Sequence, residues 1–324
     1  MHIARLSCFL MTDKTTGDIS DKYVIKRAIC GIMGKTVTNW IKRGRNNMAN
    51  MTVNKGKCIG CGLCVRDCLR NTIFIREGKA EIDVSGCIKC GHCIAVCPQD
   101  AVSLGSIENM QWDSGGSGPK RGSAPDPEVF LNFLKFRRSI RQYKKHEIEP
   151  EKMEAIIEAG RYSPTAGNRQ KNRFIILKEN IEQVRKAAIE TLRHAAADES
   201  KDLGEREIYR KSWARMYDDY AEGRRDGLFF NAPAVILIVS DENNHYAEID
   251  GGIAASRMEL QANALGLGVC YIGFLNTAME FDGRIKEMAD LKEDEKLAVA
   301  FVTGYADVEY QRPAPRKPAN VRKL

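Results

Sequence analysis

Four cysteines fall within eleven residues, at Cys58, Cys61, Cys64 and Cys68, in the spacing C-x2-C-x2-C-x3-C. The same spacing returns 29 residues later at Cys87, Cys90, Cys93 and Cys97, where the run ends in Pro98. Eight thiols inside forty residues constrain the chain more than any other feature. The opening MHIARLSCFLM has a short apolar run but no small-residue cleavage pattern, so no secretory signal is read. Disulfides need an oxidising compartment, and the chain is expected in the cytoplasm. Clustered cysteines in such a chain point to metal.

The spacing selects the kind of metal site. Three cysteines on a tight loop reach three corners of one iron–sulfur cube, and the glycines at 60, 62 and 91 let the backbone turn closely. The fourth cysteine of each run follows on a short helical turn and serves the other cluster. Cys58, Cys61, Cys64 and Cys97 are therefore assigned to one [4Fe-4S] cluster, and Cys87, Cys90, Cys93 and Cys68 to a second. Eight cysteines would also hold two zinc ions, but zinc sites pair C-x2-C units across a longer loop, and a tripled run repeated in register fits that poorly. His92 lies between two ligands and is not read as one.

On these residues, 51–104 resemble a bacterial ferredoxin with two [4Fe-4S] clusters. Leu69 follows Cys68 where that family often has proline, which removes no ligand. Between the runs, TIFIREGKAEID reads as a hairpin, and Val102, Ser103 and Leu104 as part of a second small strand pair. Residues 51–104 hold seven Lys/Arg against five Asp/Glu. Two oxidised cubes with their thiolates turn that balance to about −2, so this is not a nucleic-acid surface.

Charge elsewhere points the same way. The net +7 of the 324 residues sits almost wholly in 1–47, which carry nine Lys/Arg and three Asp. This basic head shows no nucleic-acid motif and fits neither domain. MTVNKGKCIGCG at 51–62 would make a natural start, so 1–47 read as a disordered basic extension or a start placed too far upstream. No stretch approaches the ~18 apolar residues of a membrane span. Residues 105–127, rich in Gly, Ser and Pro, read as a linker.

After the linker the pattern changes. EVFLNFLKF sets Val129, Phe130, Phe133 and Leu134 on one helical face. In RRSIRQYKK, Arg137, Arg138, Ser139 and Arg141 offer guanidinium forks and a hydroxyl within five residues, suited to a dianionic phosphate, although such a run alone is more often a solvated face. PEKMEAIIEAG reads as a helix. YSPTAGNRQ reads either as an ordinary helix-to-strand turn or as a loop whose backbone and Asn168 side chain meet a planar ring. Strands are expected at 173–178, 232–240 and 296–305, and a small-residue helix at 248–268. Residues 181–222 read as charged helices partly covering a pocket, and the tail from Gln311 as extended and basic, suited to wrapping a neighbour.

RRSIRQY, SPTAGNRQ, DGGIAASRMELQANALGLGVCYIGF and FVTGY with RPAPRK, in that order, resemble the nitroreductase family over about residues 128–320. The resemblance implies an α+β sandwich behind the small ferredoxin-like domain, and an intertwined homodimer with one FMN per protomer at the interface. It carries Arg137, Arg138, Ser139 and Arg141 onto the phosphate and ribityl motif. Pro164, Thr165, Ala166 and Asn168 match the loop that approaches the isoalloxazine, usually from the partner chain. Tyr271, Ile272 and Gly273 match the segment beside the ring, and Arg316 the basic C-terminal position near the phosphate. Lys171-Asn172 stand where the family often has Pro-Trp.

The implied activity is passage of electrons from the clusters through FMN to a small organic acceptor: a nitroaromatic, a quinone or an activated alkene. The donor would be a ferredoxin-like protein or NAD(P)H. No acid–base side chain is nominated, because the cofactor carries the chemistry. The alternative is an electron-transfer subunit or redox sensor with no turnover of its own. ICGIMGKT at 29–36 fails as a phosphate loop because Ile29 stands where glycine is required. GLGVCYIG at 266–273 is not G-x-G-x-x-G. Cys270 reads as a buried structural thiol.

Overall fold

The computed structural model describes residues 51–105 and 124–324. The basic segment 1–47 and most of the expected linker lie outside them. The described residues belong to one compact unit.

The cysteine module is built from two small strand pairs and two short helices. Strand β1 (Met51–Val53) pairs antiparallel with β4 (Val102–Leu104), Met51 opposite Leu104. Strands β2 (Ile73–Arg76) and β3 (Lys79–Ile82) form the expected hairpin, turning at Glu77-Gly78 with φ of +50° and +72°. Two successive positive φ angles match the twist of the flanking strands. Helices α1 (Leu63–Arg66) and α2 (His92–Val96) start at equivalent points of the repeat. Gly62 and Gly91 precede them with φ of +73° and +77°, a left-handed conformation that a Cβ penalises.

The larger module surrounds a four-stranded antiparallel sheet. Its strands are β5 (Arg173–Leu177), β6 (Ala234–Asp241), β7 (Gly268–Tyr271) and β8 (Glu295–Gly304), in the order β5-β6-β8-β7. Strand β6 is apolar at nearly every position because both its faces are covered. Val235, Leu237 and Val239 enter one core, and Ala234, Ile236 and Ile238 the other. Helices α4 (Pro150–Arg161) and α7 (Ala247–Ala264) cover the second face. Helices α5 (Ile181–Ala197), α6 (Arg210–Ala221), α8 (Gly273–Phe281) and α9 (Arg284–Met288) cover the first.

Small residues let α7 lie close to the sheet. A Cβ built on Gly251 would stand 2.7 Å from the Ala298 Cβ. The expected helix at 248–268 ends earlier, at Ala264, because Gly266 takes a left-handed φ of +79° and the chain re-enters the sheet as β7.

The charged helices at 181–222 differ from expectation. Val184, Ala188, Ile189 and Leu192 recur at helical spacing on α5 and are fully buried, as is Trp213 on α6. These helices are structural walls of the larger core.

Helix α3 (Pro127–Phe136) buries no residue. Asp126 caps it, accepting from the N–H groups of Glu128 (3.0 Å) and Val129 (2.9 Å), with Pro127 at the first turn. Its apolar side chains nevertheless stand open, Val129 at 67 % and Leu131 at 51 % exposure. Among the described residues no helix is long and apolar enough to cross a membrane.

Candidate functional site

The eight cysteines differ in exposure. Cys58, Cys64 and Cys93 are buried, Cys68, Cys87 and Cys97 half-buried, and Cys61 and Cys90 exposed. One cavity is lined by Cys87, Cys90 and Cys93 of the second run together with Cys68 of the first. Backbone amides already address the sulfurs. The N–H of Ala80 donates to Cys58 Sγ (3.3 Å), that of Lys89 to Cys87 Sγ (3.4 Å) and that of Ala101 to Cys97 Sγ (3.3 Å). At Cys58 the Ala80 bond lowers the pKa of the thiol and so favours the thiolate, the form that binds metal. Burial, with Cys87 and Cys90 alongside, pushes the Cys93 thiol up to about 11, so ligation there must expel a proton.

The donor set of four thiols, with amides on their sulfurs, fits an iron–sulfur cube. Leu69, in the place where proline is common, is 79 % exposed and disturbs no ligand.

Three of the four sequence motifs of the larger module come together. Arg137, at the end of α3, places its guanidinium on the buried carboxylate of Glu259, and the Tyr271 hydroxyl donates to the other oxygen of that carboxylate at 3.1 Å. Burial, and then the Glu259 charge, hold the Tyr271 hydroxyl well above its ordinary range, so it remains a proton donor. Ser139 bridges Val269 beside β7, where the Ile140 N–H donates to the Val269 carbonyl at 3.0 Å. Arg141 lies over the Phe230 ring at 5.8 Å. Ile272 is buried, its N–H on the Ala300 carbonyl (2.8 Å), and Gly273 opens α8.

Arg138 joins the tail to this group. Its Nη2 donates to the Arg312 carbonyl at 2.8 Å, and its guanidinium lies 5.3 Å from the Tyr310 ring centre. Its Nη1 is buried and has no partner among the described residues. A buried guanidinium donor left open is unusual, because desolvation without a hydrogen bond is costly. Arg316 lies on the exposed tail and, among the described residues, donates to the Pro315 carbonyl at 3.0 Å and not into the group of Arg137, Arg138, Ser139 and Arg141. Cys270 is buried as expected; burial raises its pKa, with Arg141 and Ser139 opposing.

The fourth motif, the loop 164–168, is tied to the start of the third rather than to the arginines. Pro164 is exposed, Thr165 Oγ1 accepts from the Gln170 N–H at 2.9 Å, and the Ala166 N–H donates to Asp250 Oδ1 at 3.0 Å. Asn168 reaches the cysteine module, donating to the Ile88 and Lys89 carbonyls. Asp250 and Glu259 escaped the sequence reading. Their signal was present: both are acidic residues on the same helical stripe as Ala254, Ala255 and Met258, where a charge is expensive unless it holds a partner.

A cysteine-rich module with cube-type donor sets, joined to an α+β sandwich that gathers arginines around one strand end, defines a redox protein of two modules. Family models match both: residues 134–305 as the nitroreductase family and residues 57–101 as a 4Fe-4S dicluster domain. The chain belongs to the nitroreductase family. It is an FMN-dependent oxidoreductase of nitroreductase type that carries a [4Fe-4S] ferredoxin domain ahead of the flavin module.

No curated protein matches the chain in sequence. Solved structures similar to it include a nitroreductase with bound FMN from Bacteroides fragilis, with 21 % identity, a TM-score of 0.48, and 60 % of this chain against 97 % of that one. Another, a nitroreductase with bound FMN from Desulfitobacterium hafniense, has 22 % identity, a TM-score of 0.47, and 59 % against 97 % coverage. An FMN-dependent nitroreductase from Clostridium difficile has 27 % identity, a TM-score of 0.39, and 57 % against 91 % coverage.

Proposed function

We propose that the protein takes single electrons into two [4Fe-4S] clusters, passes them to FMN, and reduces a small organic acceptor such as a nitroaromatic, a quinone or an activated alkene. Cys58, Cys61, Cys64 and Cys97 hold one cluster; Cys87, Cys90, Cys93 and Cys68 hold the other. The observation that carries this reading is the cavity lined by three cysteines of one run and the fourth of the other. That crossing is the ligation of a two-cluster ferredoxin.

The residues around the strand end fit FMN. Arg138 keeps a buried Nη1 free to donate to a phosphate oxygen. Arg137 and Tyr271 are fixed by Glu259, which orients that edge of the site. Ser139 and Arg141 complete the phosphate and ribityl side, and Ile272 and Gly273 the ring side. Bound FMN supplies the conversion between single electrons and the pair delivered to the acceptor; the protein supplies position and electrostatics.

Arg316 and the loop Pro164, Thr165, Ala166 and Asn168 serve the flavin of the second protomer in a homodimer. Two open surfaces support a dimer. Helix α3 is ten residues long and buries nothing, a length that is marginal without packing. Helix α7 is packed on the sheet yet shows Ile249 and Ile253, one turn apart, at 60 % and 37 % exposure on its outer side. Apolar side chains exposed on successive turns of one face suit a partner surface.

Anaerobic purification with iron and flavin quantification tests the reading. About eight irons and about one FMN per chain are expected. Iron without FMN would leave an electron carrier as the better account. To distinguish donors, FMN bleaching by NADH or NADPH is compared with bleaching by a reduced ferredoxin, and the ferredoxin is expected to be the faster.

A further inference from the structure

The Asn168 side chain joins the flavin module to the cysteine module. The Asn168 carboxamide donates from Nδ2 to the carbonyl oxygens of Ile88 (3.2 Å) and Lys89 (3.0 Å). Ile88 and Lys89 are the two residues between Cys87 and Cys90. Lys89 has a φ of +54°, which is uncommon for a residue with a Cβ. In that conformation its N–H points at Cys87 Sγ (3.4 Å) while its carbonyl faces Asn168. A single residue thus touches a ligand sulfur on one side and the flavin module on the other.

Asn168 is suited to its half of the contact. Its φ is +53°, and asparagine tolerates the left-handed region better than most residues. Its amide supplies two donors, and here one nitrogen serves two carbonyls. The loop is anchored from behind, the Ala166 N–H on Asp250, which is 3 % exposed. Asp250 and Glu259 lie on the same helix, nine residues or about 14 Å apart. The loop that grips the cysteines and the carboxylate that fixes Arg137 and Tyr271 therefore share one rigid support. In the first run the Cys58 carbonyl is bonded within its own module, by Lys79 Nζ at 2.5 Å. The two cysteine runs are chemically alike, but they are not equivalent in position.

Resting on the reading above, that both cofactors are bound and electrons run toward the flavin, we infer that Asn168 is a positioning residue that clamps the Cys87–Cys90 loop to the loop 165–170. The cluster of Cys87, Cys90, Cys93 and Cys68 is then the exit toward the FMN that this loop serves, that of the second protomer, and the cluster of Cys58, Cys61, Cys64 and Cys97 the entry. Each transfer takes one electron from the reduced exit cluster, which is oxidised, into the flavin, which is reduced. Two such electrons and one proton from solvent give the reduced flavin anion, and a one-electron donor of ferredoxin or dithionite type replaces them.

The test compares anaerobic holoenzyme with Asn168→Ala, Asn168→Asp and Asn168→Gln, each with iron and FMN quantified. After rapid mixing with dithionite, cluster bleaching and flavin bleaching are followed separately and normalised to cofactor content. Asn168→Asp keeps the size but sets a carboxylate against two carbonyls; Asn168→Gln keeps the amide. The flavin phase is expected to slow at least tenfold in the Ala and Asp variants at an unchanged cluster phase, with partial recovery in the Gln variant. Amide hydrogen exchange is expected to rise in residues 87–91 and not in 58–62.

A flavin phase as fast in Asn168→Ala and Asn168→Asp as in the parent would overturn this inference alone. An equal rise of exchange in both cysteine runs would also overturn it, because the whole module would then have loosened. A parent enzyme whose clusters bleach while its flavin stays oxidised would overturn the proposed electron path, and this inference with it.

Discussion

The Arg137 guanidinium sits on the Glu259 carboxylate across 122 residues of sequence. Glu259 is 6 % exposed at its side chain and Arg137 28 %, so the carboxylate is the more deeply desolvated partner. Removing Arg137 would strand a buried charge whose remaining partner among the described residues is Tyr271. Arg137→Ala is expected to cost about 3 kcal/mol, the lower end for breaking a buried pair, because the arginine itself keeps some water. Chemical denaturation of Arg137→Ala, Glu259→Gln and the double variant checks this. The double variant is expected to be more stable than the sum of the singles implies, since an unpaired charge no longer remains.

Trp213 shows where the sequence was legible and where it was not. The cysteine runs, the hairpin and the three longer strands were readable because their signals are local: a fixed spacing, a turn of two left-handed residues, an unbroken apolar run. Residues 181–222 read as a partial cover over a pocket because Lys, Arg and Glu dilute the apolar stripe. Folding resolves the dilution through distant partners. Arg185 is buried against Asp226 at 3.0 Å, a pairing no local pattern displays. The same holds at the site, where Arg137 was found from its motif but Glu259 and Asp250 were not. Trp213 is fully buried between Tyr209, Phe274 and Phe281. Trp213→Ala is therefore expected to cost about 3–5 kcal/mol in a denaturation experiment. A mobile cover would lose its tryptophan with almost no change in the midpoint.

Glu149 gives the fold a dependence on pH. The Tyr305 hydroxyl donates to both its carboxylate oxygens, at 2.6 and 2.8 Å, and accepts from Lys152 Nζ at 2.5 Å. The Tyr305 hydrogen bonds, with Lys152 contributing less, hold the Glu149 carboxyl down at about 2. An unfolded glutamate titrates at about 4.3. With the folded value depressed, the contribution is fully present above the unfolded value and is lost as pH falls toward the folded one. Thermal unfolding of the parent and of Glu149→Gln, from pH 6 to pH 3, tests this. The parent is expected to melt higher at pH 6, and the gap to narrow below about pH 4.3. A gap that stays constant over that range would exclude the carboxylate as its source.

Cys68 lines the cavity of the other run, and that crossing makes its substitution informative. Its Sγ lies 3.4 Å from Thr72 Oγ1 on the same wall as Cys87, Cys90 and Cys93. With crossed ligation, Cys68→Ala removes a ligand from the cluster of the second run and leaves the first run complete. Iron is expected to fall from about eight to about four per chain. Hydrogen exchange is expected to rise in 87–93 while 58–64 stay protected. Cys97→Ala is expected to give the mirror result, exchange rising in 58–64. Ligation confined to each run would reverse the two patterns, Cys68→Ala loosening 58–64, so the same pair of variants decides between the arrangements even where the iron counts agree.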